Sequence, residues 1–173
     1  MLILRCQAGD EEALAAMIER YSVRLRLFLR KLSGNSAAAD DLLQDVWLDV
    51  FQKINRLRVP EAFPAWLYRI ARDKAYRELR RRSIARLVVD EPLDPEATVE
   101  DAPFSPEDAA AVRAAIDEIA PEHREVLMLR FIEGMSYEQI AQVIERPVGT
   151  VRSRIHYARI AIKAKLSGKD IST

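Results

Sequence analysis

The sequence predicts an all-α protein: two small helical domains joined by an acidic, proline-containing linker, with a helix-turn-helix at the C-terminal end. Three observations carry that expectation. Glycine is scarce, 5 among 173 residues, and no alternation of apolar and polar residues runs long enough for a strand. Apolar residues instead recur at three- and four-residue steps in both halves. Between the halves, residues 83–109 hold Pro92, Pro95, Pro103 and Pro106 together with eight acids against a single base, Arg86. Proline and carboxylate at that density break helices and resist collapse into a core.

The composition removes several classes of protein. Apolar residues make up 49% and charged residues 31%, which supports a core and excludes wholesale disorder. No apolar run approaches the roughly 20 residues needed to span a bilayer, and Met1 to Asp10 lacks the apolar stretch and cleavage site of a secretory signal. A single cysteine, Cys6, excludes an internal disulfide framework and fits a reducing compartment. Cys6, His123 and His156 have no metal-ligand spacing, and no cofactor motif is present. A cytoplasmic chain without metal or cofactor is expected.

The charge is balanced in total, 27 Lys+Arg against 27 Asp+Glu, but not in layout. Residues 1–82 carry a net of +5, residues 83–109 a net of −7 and residues 110–173 a net of +2. Basic, acidic, basic is a pattern that bears on partners more than on fold. We therefore expect domains at 1–82 and 110–173, with 83–109 as the linker.

The first helix is expected from about Asp10 to Leu32. Asp10 suits an N-cap, Glu11 and Glu12 favour the first turn, and Gly34-Asn35 ends it. A second runs from Ala37 to about Ile54, its stripe formed by Leu42, Leu43, Val46, Trp47, Val50, Phe51 and Ile54. Asp40, Asp41, Gln44, Asp45 and Asp49 lie mostly away from that stripe. Asn55 to Pro64 forms a loop, and a third helix spans about Ala65 to Arg82. There Arg69, Arg72, Lys74, Arg77, Arg80, Arg81 and Arg82 face Asp73 and Glu78, with Trp66, Tyr68 and Tyr76 interleaved. Bases neutralise phosphates and aromatic rings stack on unpaired bases; a solvated basic side over aromatics in the core would share this composition.

In the C-terminal half, Ala110 to Ala120 is expected as a helix stopped by Pro121, which starts the next, to Ile132. Glu133-Gly134-Met135 turns. Ser136 stands three residues before Gln139, the spacing of a capping box, and opens a short helix from Tyr137 to about Ile144. After the turn Glu145-Arg146-Pro147, a last helix runs from Val148 to about Leu166. Val148, Val151, Ile155, Ala158 and Ile162 form its inner face; Thr150, Arg152, Ser153, His156, Arg159 and Lys163 form its outer one. Five Lys/Arg and no acid fall between Pro147 and Leu166. Two short helices with a tight turn, the second basic outside, make a helix-turn-helix whose second helix enters the major groove. Gly149 and Thr150 suit close approach there, and Arg152 and Arg154 suit phosphate or guanine.

With these residues in hand, the chain resembles the sigma-70 family of bacterial transcription initiation factors, in its extracytoplasmic-function (ECF) group. The resemblance rests on Ala39 to Trp47 (ADDLLQDVW) and Phe63 to Asp73 (FPAWLYRIARD) in the first half. In the second it rests on Leu127 to Phe131 (LMLRF), Met135 to Ala141 (MSYEQIA) and Val148 to Arg154 (VGTVRSR). Their joint order and spacing, with the acidic linker between, cover nearly the whole chain.

The resemblance implies partners and roles. Core RNA polymerase would be bound through its β′ clamp helices by Asp41, Gln44, Asp45 and Asp49, and through its β flap. The −10 element would be read and melted by Asn55, Arg58, Phe63, Trp66, Arg69, Arg72, Lys74, Tyr76, Arg77 and Arg80, with one non-template base flipped into the loop. The −35 element would be read as duplex by Gly149, Thr150, Arg152, Ser153, Arg154, His156 and Arg159. The acidic stretch Asp90 to Asp108 would either occupy a basic channel of the polymerase, its carboxylates imitating nucleic acid, or serve as a soluble tether, and an anti-sigma factor is a further expected partner. Tyr157, Glu145 and the Arg58-Val59-Pro60-Glu61 stretch depart from the family's usual residues.

Two other readings compete. A stand-alone helix-turn-helix regulator with an N-terminal sensor or dimerisation module explains the C-terminal half equally well, but neither the basic aromatic helix nor the acidic Asp41 to Asp49 side. An enzyme finds no support: there is no Ser/His/Asp set, P-loop or metal spacing, and Glu122-His123-Arg124-Glu125 lacks the second histidine of a zinc protease.

Overall fold

A computed structural model of the chain describes residues 2–82 and 116–167. They are helical, with no strand among the described residues, and fall into two compact units. The expected linker 83–109 and most of the expected helix Ala110–Ala120 lie outside the described residues. The last residues of that expected helix form only a 3-10 turn, Ile116–Glu118.

In the first unit, α1 (Leu2–Gln7) is followed by α2 (Glu11–Ser33), α3 (Ala39–Lys53) and α4 (Phe63–Arg82). Asp10 caps α2 as expected, accepting from the Ala13 backbone N–H at 3.0 Å. Gly34 ends it at φ 63°, a conformation that costs glycine no Cβ clash. Met17, Leu25, Phe28, Leu29 and Leu32 of α2 are fully buried, with Val46 and Val50 of α3 and Leu67, Tyr68, Ala71 and Ala75 of α4. Edge-on contacts of Phe28 with Tyr68 (5.2 Å) and Tyr21 with Phe63 (5.5 Å) stitch α2 to α4. The Trp47 indole N–H donates to Ser22 Oγ at 3.1 Å and joins α3 to α2.

The segment expected as a plain loop contains two 3-10 turns, Ile54–Arg56 and Pro60–Ala62, and α4 begins at Phe63 rather than Ala65. Helix α1 was not expected. At six residues it is too short for periodicity to reveal, and it is held by tertiary contact, with Cys6 buried.

In the second unit, α5 (Pro121–Leu127) passes into a five-residue π-helical stretch, Met128–Ile132, marked by the Glu133 N–H bonding to the Met128 carbonyl at 3.1 Å. Then come α6 (Tyr137–Ile144) and α7 (Val148–Ser167). Ser136 and Gln139 form the expected reciprocal capping box. Helices α5 and α7 pack together over Ile116, Ile119, Leu127, Ala158 and Ile162. The Arg124 guanidinium ties down the turn before α5, donating to the carbonyls of Ile116 (2.8 Å), Asp117 (2.8 Å) and Ile119 (3.0 Å). Glu145, between α6 and α7, stands at φ 53°, the one non-glycine residue with positive φ among those described.

Candidate nucleic-acid interface

Helical spacing sorts the first unit's charges into two outward faces. On α3, Asp41, Gln44 and Asp45 are exposed and share one side. Leu48 falls on the same side, 56% exposed. Sequence reasoning passed over it, although its position four after Gln44 and three after Asp45 was the available signal. Asp49, expected with this row, behaves differently: its carboxylate pairs with Lys74 at 3.1 Å and Lys53 at 3.2 Å. It is the tie between α3 and α4 rather than an open acceptor. Burial pushes its pKa up, but the hydrogen bonds and charges of the two lysines outweigh that and hold it below the ordinary carboxylate value.

The face of α4 carries the bases. Arg77 and Arg80 are exposed; Trp66, Arg69 and Tyr76 are half-buried along the same side. The Arg72 guanidinium lies over the Tyr76 ring at 4.7 Å and near Asp73 at 3.7 Å, so the two expected DNA contacts form one stacked pair. Lys74, expected among the −10 contacts, is 14% exposed and engaged with Asp49. Phe63, expected on the same surface, is 1% exposed, its ring packed between Tyr21 and Trp66 as part of the core. Asn55 and Arg58 are exposed on the preceding loop. An open groove separates the α3 and α4 faces, with Asp41 and Asp45 on one wall and Lys74, Arg77 and Arg81 on the other. Glu78 sits beside it, accepting from Asn35 Nδ2 at 3.0 Å and Arg81 Nε at 3.0 Å.

The second unit presents the first turns of α7. Arg152 is exposed, and Gly149, Thr150, Arg154, His156 and Arg159 are half-buried. A Cβ at Gly149 would meet nothing within 4 Å, so the fold itself does not demand glycine there. Ser153 is the correction here. It lies on the inner side, 1% exposed, its Oγ donating to the Thr150 carbonyl at 3.1 Å. Arg154 Nε and Nη1 are buried without a hydrogen-bond partner among the described residues. His156 packs edge-on against Tyr157 at 5.5 Å. The Arg130 and Arg152 guanidiniums lie 5.2 and 6.0 Å from the Tyr137 ring, a cation–π cluster joining α6 to the start of α7. Nearby Glu138 has its carboxyl held below the ordinary range, first by its own backbone N–H, then by Ser136, and also by Arg152 and Arg130.

Among the described residues no cluster of His, Cys, Asp or Glu is placed to hold a metal ion, and no helix is long and apolar enough to cross a membrane. The arrangement offers side chains for polyanion and base recognition on two units, and an acidic face broken by one apolar residue.

Comparison with known proteins gives matches at both ends. The family model for Sigma-70 region 2 matches residues 17–84, and that for Sigma-70, region 4 matches residues 109–162. The chain is 34% identical to the RNA polymerase sigma-H factor of Pseudomonas aeruginosa over 183 residues, covering 95% of this chain and 92% of that one. It is 30% identical to the ECF RNA polymerase sigma-E factor of Escherichia coli K12 over 178 residues, covering 96% and 93%. Among solved structures, CnrH in complex with the cytosolic domain of CnrY has a TM-score of 0.71 at 25% identity, covering 96% of each chain.

Proposed function

The chain belongs to the ECF group of the sigma-70 family of RNA polymerase sigma factors, and from that premise we propose how its residues divide the work of promoter recognition. Residues 1–82 act as the unit that holds core polymerase and opens the −10 element, and residues 110–173 as the unit that reads the −35 element; 83–109 joins them. Asp41, Gln44, Asp45 and Leu48 form the polymerase contact: carboxylates for basic residues of the β′ clamp helices, with an apolar anchor beside them. The second unit supplies the contact to the β flap.

The −10 surface is Trp66, Arg69, Arg77 and Arg80 of α4 with Asn55 and Arg58 of the loop. Arginines hold the phosphate chain and give affinity without sequence, while the loop and the indole receive unstacked bases. Flipping a base costs a few kcal/mol. The surface recovers it only from a separated strand, and that difference in affinity drives opening without nucleotide hydrolysis. Thr150, Arg152, Arg154 and Arg159 meet the −35 duplex, and Gly149 lets the backbone come close. An anti-sigma factor is the further protein partner, consistent with the neighbour CnrH having been solved with the cytosolic domain of CnrY bound. The site of action is the cytoplasm, and no catalytic residue, cofactor or small-molecule substrate is assigned.

The observation that carries this reading is the pair of unlike faces on one unit, acidic with Leu48 on α3 and basic with Trp66 on α4. A stand-alone regulator has use for neither. Run-off transcription with core polymerase on a promoter library tests it. Transcripts that depend on the chain, and that share −10 and −35 sequences, are expected; the absence of any chain-dependent transcript contradicts it.

A further inference from the structure

Gln7, at the end of α1, spans to a part of the chain far from it in sequence. Its Nε2 donates to the Ile54 carbonyl at 2.8 Å and to the Leu57 carbonyl at 2.8 Å. A side-chain amide nitrogen carries two hydrogens, and both are used here. The two carbonyls bracket the 3-10 turn Ile54–Arg56, which the Leu57 N–H closes onto Ile54 at 3.0 Å. Asn55 and Arg56, between them, are exposed. The helix bearing Gln7 is itself anchored: Cys6 is buried, and the Arg5 guanidinium reaches Asp10 at 2.7 Å, the residue that caps α2. At the other end of the same loop, Ile3 and Leu4 of α1 line a groove with Pro60 and Glu61. A helix too short to stand alone thus braces the start of the segment between α3 and α4 and lies across a groove from its end.

We propose that Gln7 is a positioning residue for −10 recognition: it presets the 54–62 segment in the shape that receives the flipped base. This rests on the sigma-factor reading above. A surface loop free to sample many conformations must be ordered when DNA binds, at an entropic cost that weakens matched and mismatched strands differently only if the loop takes one shape. Holding two carbonyls of one turn removes that freedom beforehand. Loss of Gln7 therefore erodes discrimination between bases, while phosphate-driven affinity, which carries no sequence, is kept.

The test uses holoenzyme assembled from the full chain and core polymerase, with single-stranded non-template oligonucleotides randomised over the −10 stretch as the probe. The strand that wild type selects is compared with its single-base variants for wild type, Gln7→Leu and Gln7→Lys. Leucine keeps the bulk and loses both donors; lysine keeps donors, and its added charge raises all strands alike. With Gln7→Leu, the selectivity ratio at one position falls about tenfold while affinity for a mismatched strand stays within about twofold. Gln7→Lys retains most of the ratio. Amide exchange over 54–62 in the free chain rises about tenfold for Gln7→Leu with α2 to α4 unchanged.

An unaltered ratio with unaltered exchange for Gln7→Leu overturns the role of Gln7 and leaves the sigma-factor reading standing. A wild-type holoenzyme that selects no strand overturns that reading and this inference together. If Gln7→Leu unfolds the first unit, Gln7→Glu, close in shape but with no N–H for the two carbonyls, decides: a ratio lost with α2 to α4 still protected supports the role, and an unaltered ratio overturns it.

Discussion

The Asp49 carboxylate lies 3.1 Å from the Lys74 ammonium and ties α3 to α4 at the base of the two outward faces. Lys53 approaches the same oxygen at 3.2 Å. Asp49 is 29% and Lys74 14% exposed, so water screens the pair only in part. Asp49→Asn is expected to cost about 1 kcal/mol at neutral pH, read as a shifted midpoint in urea denaturation. The folded pKa of Asp49 is lowered, so the carboxylate's contribution is complete above the unfolded value of about 3.9. It is lost as pH falls through the lower folded value. The gap between wild type and Asp49→Asn closes on acidification below about pH 4; a gap of the same size at pH 3 and pH 7 shows that the ion pair is not its source.

Glu145 pays for its left-handed backbone, φ 53° and ψ 46°, at the turn between α6 and α7. Glu145→Gly relieves the Cβ clash and is expected to stabilise the second unit by about 0.5–1 kcal/mol. Thermal unfolding followed by circular dichroism measures it. A lower midpoint for the glycine variant contradicts the strain argument.

Phe63 and Trp66 touch, their ring centres 5.9 Å apart, yet they are expected to fail differently. Phe63 is 1% exposed, and Phe63→Ala empties a core site at a cost of about 3–5 kcal/mol. Trp66 is half-buried, and Trp66→Ala is expected to leave the fold while reducing open-complex yield more than initial duplex binding. Permanganate footprinting beside gel shifts separates the two steps. Normal opening by folded Trp66→Ala removes this residue from the melting surface.

Arg152 stands against the Tyr137 ring in the first turns of α7. Arg152→Ala is expected to weaken −35 engagement by about 1–3 kcal/mol if it reads a base. If it holds a phosphate instead, the salt slope of holoenzyme binding falls by about 1 with no change in sequence preference. Binding titrations over a series of salt concentrations tell the two apart, and unchanged affinity and slope contradict either contact.

How much of this could be read from residue order alone depended on whether the determining interaction was local. Both ends of α2 were legible because Asp10 and Gly34 act within a turn of their own positions. The α6 start was legible because Ser136 and Gln139 close on each other. Periodicity placed Asp41, Gln44 and Asp45 on an outer side, and Arg77, Arg80 and Arg152 likewise. What escaped was set across the fold. Helix α1 carries too few residues for a pattern and is held by distant carbonyls. The π-helical stretch at Met128–Ile132 shifts hydrogen bonds by one residue with no residue type that announces it. Ser153 sits where an outer and an inner assignment differ by a small rotation about the helix axis, and packing decided for the inside, while Phe63, expected in the loop, opens α4 with its ring in the core. Asp49 looked like a member of a carboxylate row because its partner Lys74 comes from another helix.

The central claim is that these two units act on promoter DNA only as part of a larger polymerase. Its most direct test is a pair of affinity measurements on the purified chain, one with core RNA polymerase and one with duplex promoter DNA alone. Tight association with the polymerase, with specific duplex binding appearing only after it is added, is the result expected here. Specific duplex binding by the isolated chain, with no association with the polymerase, would contradict the account and return the protein to the class of stand-alone regulators.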